Sequence, residues 1–173
     1  MTTPVHAQHS NLHVRRARVA DVRRIKELVD CYAGPILLEK SLVNLFEDVT
    51  EFWVCEVDGV VQGCGALHVL WEDLGEIRTV ATNPELRGRG IGGAICREIM
   101  AQARWIGVSR LFVLTFEVGF FAGLGFEPIS ELDLSAEGFA QLRSSYDAGV
   151  AEFLDLPYVK PNTLGNTRML TNL

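Results

Sequence analysis

Arg87-Gly88-Arg89-Gly90-Ile91-Gly92 is the stretch on which the reading of this chain turns. Upstream, Glu76 to Ala81 is strand-like, and Asn83-Pro84 stops it because proline disfavours the helical region for the residue before it. Downstream, Ile95, Ile99, Ala103 and Ile106 recur on one face of a helix expected from about Gly92 to Trp105, with Gly107 as its stop. The six residues therefore join a strand to a long helix. The first turn of a helix carries N–H groups without intrahelical acceptors at the positive end of its dipole, and together they attract a phosphate. Glycines let the backbone approach the oxygens with no Cβ in the way, and Arg87 and Arg89 add charge-assisted donors. A plain structural turn without a ligand is the alternative.

Other glycine loops fit less well. A P-loop ends in Gly-Lys-Ser or Gly-Lys-Thr, where this chain has Gly92-Gly93-Ala94. The dinucleotide fingerprint is matched in form by Gly88, Gly90 and Gly93, but it needs a strand running directly into the first glycine and an acid about 20 residues later. Here Pro84 intervenes and Val113 occupies the acidic place.

Working outward, Val14 to Arg18 reads as a short strand, followed by a helix from about Asp21 as N-cap. Val22, Ile25, Leu28, Val29 and Tyr32 would turn its face to the core before Gly34-Pro35 breaks it. Ser41 to Phe46 forms a second short helix. Phe52 to Val57 and Val60 to Val69 are strands joined by the two-residue turn Asp58-Gly59. Beyond the long helix come a buried strand (Arg110 to Phe116), a short helix (Val118 to Leu124) ended by Gly125, and a strand from Phe126. Ser135 caps a further helix on which Phe139, Leu142 and Tyr146 share a face, and Glu152 to Leu173 supplies the closing hairpin. The order β-α-α-β-β-β-α-β-α-β-α-β is that of an α/β protein with a mixed sheet. With no repeat or linker in sight, residues 13–173 read as a single domain and residues 1–12 as a disordered tail.

Composition narrows the function. Across 173 residues the chain is 48% hydrophobic and 22% charged, enough for one core and too apolar for global disorder. Its longest uncharged runs, Met1 to Val14 and Gly59 to Trp71, span 14 and 13 residues, short of the about 20 that a membrane helix needs. The net charge of −6 argues against a nucleic-acid partner. Two basic residues face ten acidic ones in 31–86, while 87–110 holds five arginines and one glutamate, so the positive charge is local. Cys31, Cys55, Cys64 and Cys96 form no CxxC pair and read as buried free thiols of a reducing compartment, with no metal site. The N-terminus has no apolar core of a secretion signal.

The pattern R-x-x-G-x-G (Arg87, Gly90, Gly92), after a strand and an Asn-Pro stop, resembles the pyrophosphate loop of the GNAT acetyltransferase superfamily. Phe120-Phe121-Ala122-Gly123-Leu124-Gly125-Phe126 is similar to that family's aromatic segment beside the pantetheine arm. With the opening strand and helix and the paired strands before Val69, the likeness spans residues 14–173. It implies the GNAT fold: a mixed central sheet of six to seven strands with helices on both faces. Leu37-Leu38-Glu39-Lys40-Ser41, Gly75-Glu76-Ile77-Arg78-Thr79-Val80-Ala81 and Leu111-Phe112-Val113-Leu114-Thr115 resemble the acetyltransferase domain of N-acetylglutamate synthases. Tyr158-Val159-Lys160-Pro161-Asn162-Thr163-Leu164-Gly165-Asn166 resembles their short stand-alone form, which lacks a kinase-like domain.

The resemblance implies acetyl-CoA as co-substrate, no metal, and direct transfer in a ternary complex to the α-amine of L-glutamate or L-glutamine, the first step of arginine biosynthesis, in the cytoplasm. Thr79, Val80 and Ala81 would pair with the pantetheine arm and Val80 N–H would polarise the thioester. Arg87, Gly88, Arg89, Gly90, Ile91 and Gly92 would hold the pyrophosphate, with Phe121 beside the thiol. Glu76 and His68 are the candidate bases for freeing the amine. Phe121 stands where the superfamily's acidic tyrosine is expected; either Tyr158 substitutes for it or no general acid is needed, since a thiolate with a pKa of about 8.5 leaves fairly easily. Lys40, Arg78, Thr79, Asn166 and Thr167 would contact the amino acid, and Gly165 takes the place of an arginine in longer synthases. An acetyltransferase for another small amine or a peptide N-terminus, and a non-catalytic acyl-CoA sensor, are the other readings. A homodimer is left open.

Overall fold

A computed structural model describes residues 11–130, 134–145 and 165–173. The elements follow the order read from the sequence: β1 (Leu12–Arg16), α1 (Val22–Asp30), α2 (Leu42–Glu47), β2 (Phe52–Val57), β3 (Val60–Trp71), β4 (Leu74–Thr82), α3 (Ile91–Ile106), β5 (Arg110–Thr115), α4 (Val118–Ala122), β6 (Glu127–Pro128), α5 (Ala136–Leu142) and β7 (Thr167–Asn172). The seven strands form one sheet in the order β1-β2-β3-β4-β5-β7-β6. Among the described residues only strands β4 and β5 run parallel, and α3 makes the crossover between them.

Alternation along β2 divides the core. Trp53 and Cys55 face α3, packing with Ile95, Ile99 and Ala103, whereas Phe52 and Val54 pack with Ile25, Leu28 and Val29 of α1 and Leu45 of α2. Helices therefore cover both faces. On β3 the α3 face is bare at Gly63 and Gly65, where an added Cβ would lie 2.5 Å from Ile91 Cγ2 and 2.8 Å from Ile95 Cγ2. The helix comes that close only because those side chains are missing. Asp58 (φ 51°) and Gly59 (φ 81°) make the left-handed two-residue turn expected between β2 and β3.

Four expectations need correction. First, β1 starts at Leu12, because β2 offers partners along its whole length to Val57. Second, the Asp21 carboxylate does not cap α1: it accepts from Arg18 N (2.7 Å) and from both terminal nitrogens of Arg15 (2.8 and 3.0 Å), closing a short 3-10 turn ahead of the helix. Third, Ile106 and Phe139 are 43% and 42% exposed. Gly107, at φ 93°, turns the chain so that buried Val108 takes the place meant for Ile106. Gly138 lets α5 rest against the Trp71 ring, which turns Leu142 inward and Phe139 outward. Fourth, Cys31 is exposed, while burial pushes the Cys64 and Cys96 thiols up to about 12. Of the closing segment, β7 is described and lies between β5 and β6, pairing antiparallel with both; Tyr146, Tyr158 and 152–164 lie outside the described residues. Among the described residues no helix is long and apolar enough to cross a membrane.

Candidate functional site

The parallel ladder between β4 and β5 is short. It pairs Leu74, Gly75 and Glu76 with Arg110, Leu111 and Phe112, and no further pair follows in either strand. Past this point a groove of about 510 Å³ lies between Ile77–Val80 of β4 and Val113–Thr115 of β5. The second half of each strand thus forms a wall with backbone groups facing an opening instead of a neighbour.

On the β4 wall the register slips. Cys64 pairs with Ala81 and Ala66 with Arg78, so one residue of β3 faces two of β4, Thr79 and Val80. Thr79 adopts φ 57° although it is β-branched and only 8% exposed. Such a conformation costs about 1–3 kcal/mol and persists only where its surroundings enforce it. A bulge redirects the backbone groups beside it, and the residues of this one line the groove.

The glycine turn forms part of the groove lining. Gly88 and Gly90 have φ 82° and 80°, with Gly90 as the N-cap of the 16-residue α3. A Cβ at either would meet nothing within 4 Å, so it is the backbone conformation that demands glycine there, with open space alongside. Gly88, Gly90, Ile91 and Gly92 line the groove with Arg87, whose Nη2 donates to Glu117 Oε1 at 2.8 Å across its rim. Exposed N–H groups at a helix start, next to open space and an arginine, can hold a phosphate. Phe120 and Phe121 complete this side, their rings edge to face at 5.0 Å, with Phe126 a further 5.4 Å from Phe121.

Tyr32, Ile36 and Leu37 beyond α1, and Arg78, line the groove as well. Tyr32 Oη donates to the Thr82 carbonyl at 2.7 Å and fixes that wall to β4. Arg78, its side chain 9% exposed, belongs to a chain of charges. Its Nη2 donates to Glu51 Oε2 at 3.3 Å and its Nη1 lies 4.0 Å from Glu76 Oε2, while Glu51 Oε1 sits 2.8 Å from His68 Nδ1. His68 and Glu76 are themselves cross-strand neighbours. Burial pushes the Glu51 carboxyl up, but the hydrogen bond and charge of His68 and those of Arg78 outweigh it and hold Glu51 below its ordinary value.

Thr79, Val80, Arg78, Arg87, Gly88, Gly90, Ile91, Gly92 and Phe121, singled out in the sequence, thus line one groove. Glu76 and His68 join it through Arg78. Ala81 is buried in the core layer under α1, and Arg89 is exposed and does not line the groove. Lys40 lies outside the lining too, with Nζ 3.3 Å from Asp48 Oδ2. Thr167 pairs with Thr115, a groove residue, and Asn166 precedes it. The sequence reading passed over Glu51, Tyr32 and Glu117. Nothing near Glu51 marks it, because its partners lie 17 and 27 residues away.

The model of the acetyltransferase (GNAT) family matches residues 22–126. An amino-acid acetyltransferase of Mycobacterium tuberculosis is 61% identical over 160 residues, which cover 91% of this chain and 92% of that protein. A solved Mycobacterium tuberculosis structure, in complex with CoA and NLQ, superposes with a TM-score of 0.90 at 60% identity, over 93% of this chain and 99% of that one. N-acetylglutamate synthase of Neisseria gonorrhoeae, complexed with coenzyme A and N-acetyl-glutamate, gives a TM-score of 0.74 at 29% identity, over 96% of this chain and 36% of the larger protein. The chain therefore belongs to the GNAT family of acetyltransferases.

Proposed function

We propose that this acetyltransferase moves the acetyl group of acetyl-CoA to the α-amine of L-glutamate or L-glutamine, and so opens arginine biosynthesis in the cytoplasm. The observation that carries the reading is a single groove lined by an anion-binding glycine turn, by Arg78 and by the bulged Thr79–Val80 backbone. The named amino-acid acetyltransferase at 61% identity, and the synthase solved with N-acetyl-glutamate, support the choice of acceptor.

In this reading Arg87 and the N–H groups from Gly88 to Gly92 hold the pyrophosphate. The pantetheine arm lies along β4, and Val80 N–H polarises the thioester carbonyl, aimed at the oxygen on which charge develops. The neutral amine attacks that carbon; a C–N bond forms, the C–S bond breaks, and the thiolate leaves and takes up a proton. The proton shed by the amine passes to Glu76 or to His68. Phe121 has no proton to give, so the thiolate is protonated by Tyr158 or by water; a thiol with an ordinary pKa of about 8.5 is a fair leaving group. Most of the acceleration is positioning of two bound substrates.

Arg78 meets the α-carboxylate of the acceptor. Among the described residues the groove lining offers one other cation, Arg87 of the glycine turn, and Gly165 brings no charge. Glutamate and glutamine should therefore differ by less than about a thousandfold in kcat/KM, which corresponds to about 4 kcal/mol. Thiol release from acetyl-CoA, followed across the amino acids and polyamines with the product identified by mass spectrometry, tests the reading. Turnover confined to glutamate and glutamine supports it. Preference for a polyamine, or cofactor-dependent stabilisation without turnover on any amine, overturns it.

A further inference from the structure

Glu51 closes a 3-10 turn, Val49–Glu51, immediately before β2. That places it against the stretch of β3 and β4 where Ala66 pairs with Arg78 and His68 with Glu76. Its two oxygens do different things: Oε2 accepts from Arg78 Nη2 (3.3 Å), and Oε1 lies 2.8 Å from His68 Nδ1. With Glu76 Oε2 4.0 Å from Nη1, the guanidinium that lines the groove has a carboxylate on each side. A carboxylate only accepts, so the nitrogen facing Oε1 carries the proton. Neutral His68 is then the Nδ1–H tautomer, with its lone pair on Nε2, the opposite of the form a free histidine side chain prefers. The hydrogen bond made by one ring nitrogen sets what the other can do. Glu51 stays ionised in this setting, held below its ordinary value by His68 and Arg78 against the effect of burial.

We propose that Glu51 is a positioning residue of the acetyl transfer, one carboxylate that steadies Arg78 for the acceptor and fixes His68 as a proton acceptor at Nε2. The proposal rests on the amino-acid reading of the acceptor end. It ties two tasks to one side chain. An amide of the same shape cannot do both, since one of its ends donates.

The test uses the full chain and its Glu51→Gln variant. Ring nitrogen shifts of His68, assigned by loss of its signals in His68→Gln, report the tautomer at a pH where the ring is neutral. The wild type should show Nδ1–H and Glu51→Gln should show Nε2–H. The variant should also raise the amino-acid KM at least about fivefold while the Kd for CoA, by titration calorimetry, moves by less than about twofold. A wild-type His68 in the Nε2–H form overturns the proposal without any variant, and so does a Glu51→Gln protein with unchanged tautomer and KM. Absence of amino-acid turnover in the wild type overturns the acceptor reading instead; the nitrogen shifts, read without substrate, tell the two failures apart.

Discussion

At Gly90 the backbone sits at φ 80° with no atom within 4 Å of where a Cβ would be, and at Gly59 it sits at φ 81° in equally open space. A side chain at either position costs about 1–2 kcal/mol of backbone strain and meets no neighbour. The two differ in what they adjoin, since Gly90 caps α3 at the groove and Gly59 closes the β2–β3 turn. Gly90→Val should weaken CoA binding about tenfold or more, the equivalent of about 1.4 kcal/mol, as the loop relaxes away from its N–H arrangement. Gly59→Val should lose similar stability and keep its CoA affinity. Calorimetric titration of both variants checks this, and equal affinities would detach the turn from the ligand. The glycine requirement was legible because few other residues take that conformation. Thr79 was not: a β-branched residue in a strand reads as extended, and only the slipped pairing with β3 turns it to φ 57°. Glu51 escaped for a similar reason, its role being written in partners far along the chain.

Between elements, the close seat of α3 on β3 rests on Gly63 and Gly65. A methyl group at Gly63 would sit 2.5 Å from Ile91 Cγ2 and 3.0 Å from Ile95 Cδ1, and at Gly65 2.8 Å from Ile95 Cγ2. The two closest atoms, Ile91 Cγ2 and Ile95 Cγ2, are branch methyls of fully packed residues, with little room to yield. Overpacking of this kind costs about 1–3 kcal/mol. Gly63→Ala and Gly65→Ala should lower the urea midpoint by a matching amount with an unchanged m-value, whereas Gly119→Ala, with nothing within 4 Å, should not. The order and type of all twelve elements could be read from periodicity and stop signals, because caps such as Ser41, Ser135 and Gly107 act locally. The faces of helix ends could not. Ile106 and Phe139 keep helical spacing yet point outward, since Val108 and the Gly138–Trp71 contact, both tertiary, decide what is covered.

For the whole molecule, Arg15 ties the first strand to two other parts of the chain. It donates to Asp21 at 2.8 and 3.0 Å and to Glu56 of β2 at 2.8 Å. The Arg15 hydrogen bonds outweigh burial and, with the Arg18 N–H, hold the Asp21 carboxyl below its ordinary 3.8. A carboxylate depressed on folding contributes stability that is fully present above the unfolded value and lost as pH falls through the folded one. Melting temperature should therefore drop more steeply below pH about 4 in the wild type than in Asp21→Asn, and the two should converge in strong acid. Parallel curves from pH 5.5 to pH 2.5 would show that the contact is not linked to protons. The mixed sheet was legible from element order and its two helical layers from the family resemblance, but the opening between β4 and β5 was not, because it depends on where a ladder stops and not on what either strand contains. The seat of β7 carries a consequence for synthesis. It fills the slot between β5 and β6, two strands that precede it in the chain. Until it arrives, β5 presents the N–H and C=O groups of a nearly buried strand along an open edge, the kind of surface on which chains stick to one another. A ribosome that stalls ahead of β7 would therefore leave a nascent chain with its groove walls built and its most adhesive edge uncovered.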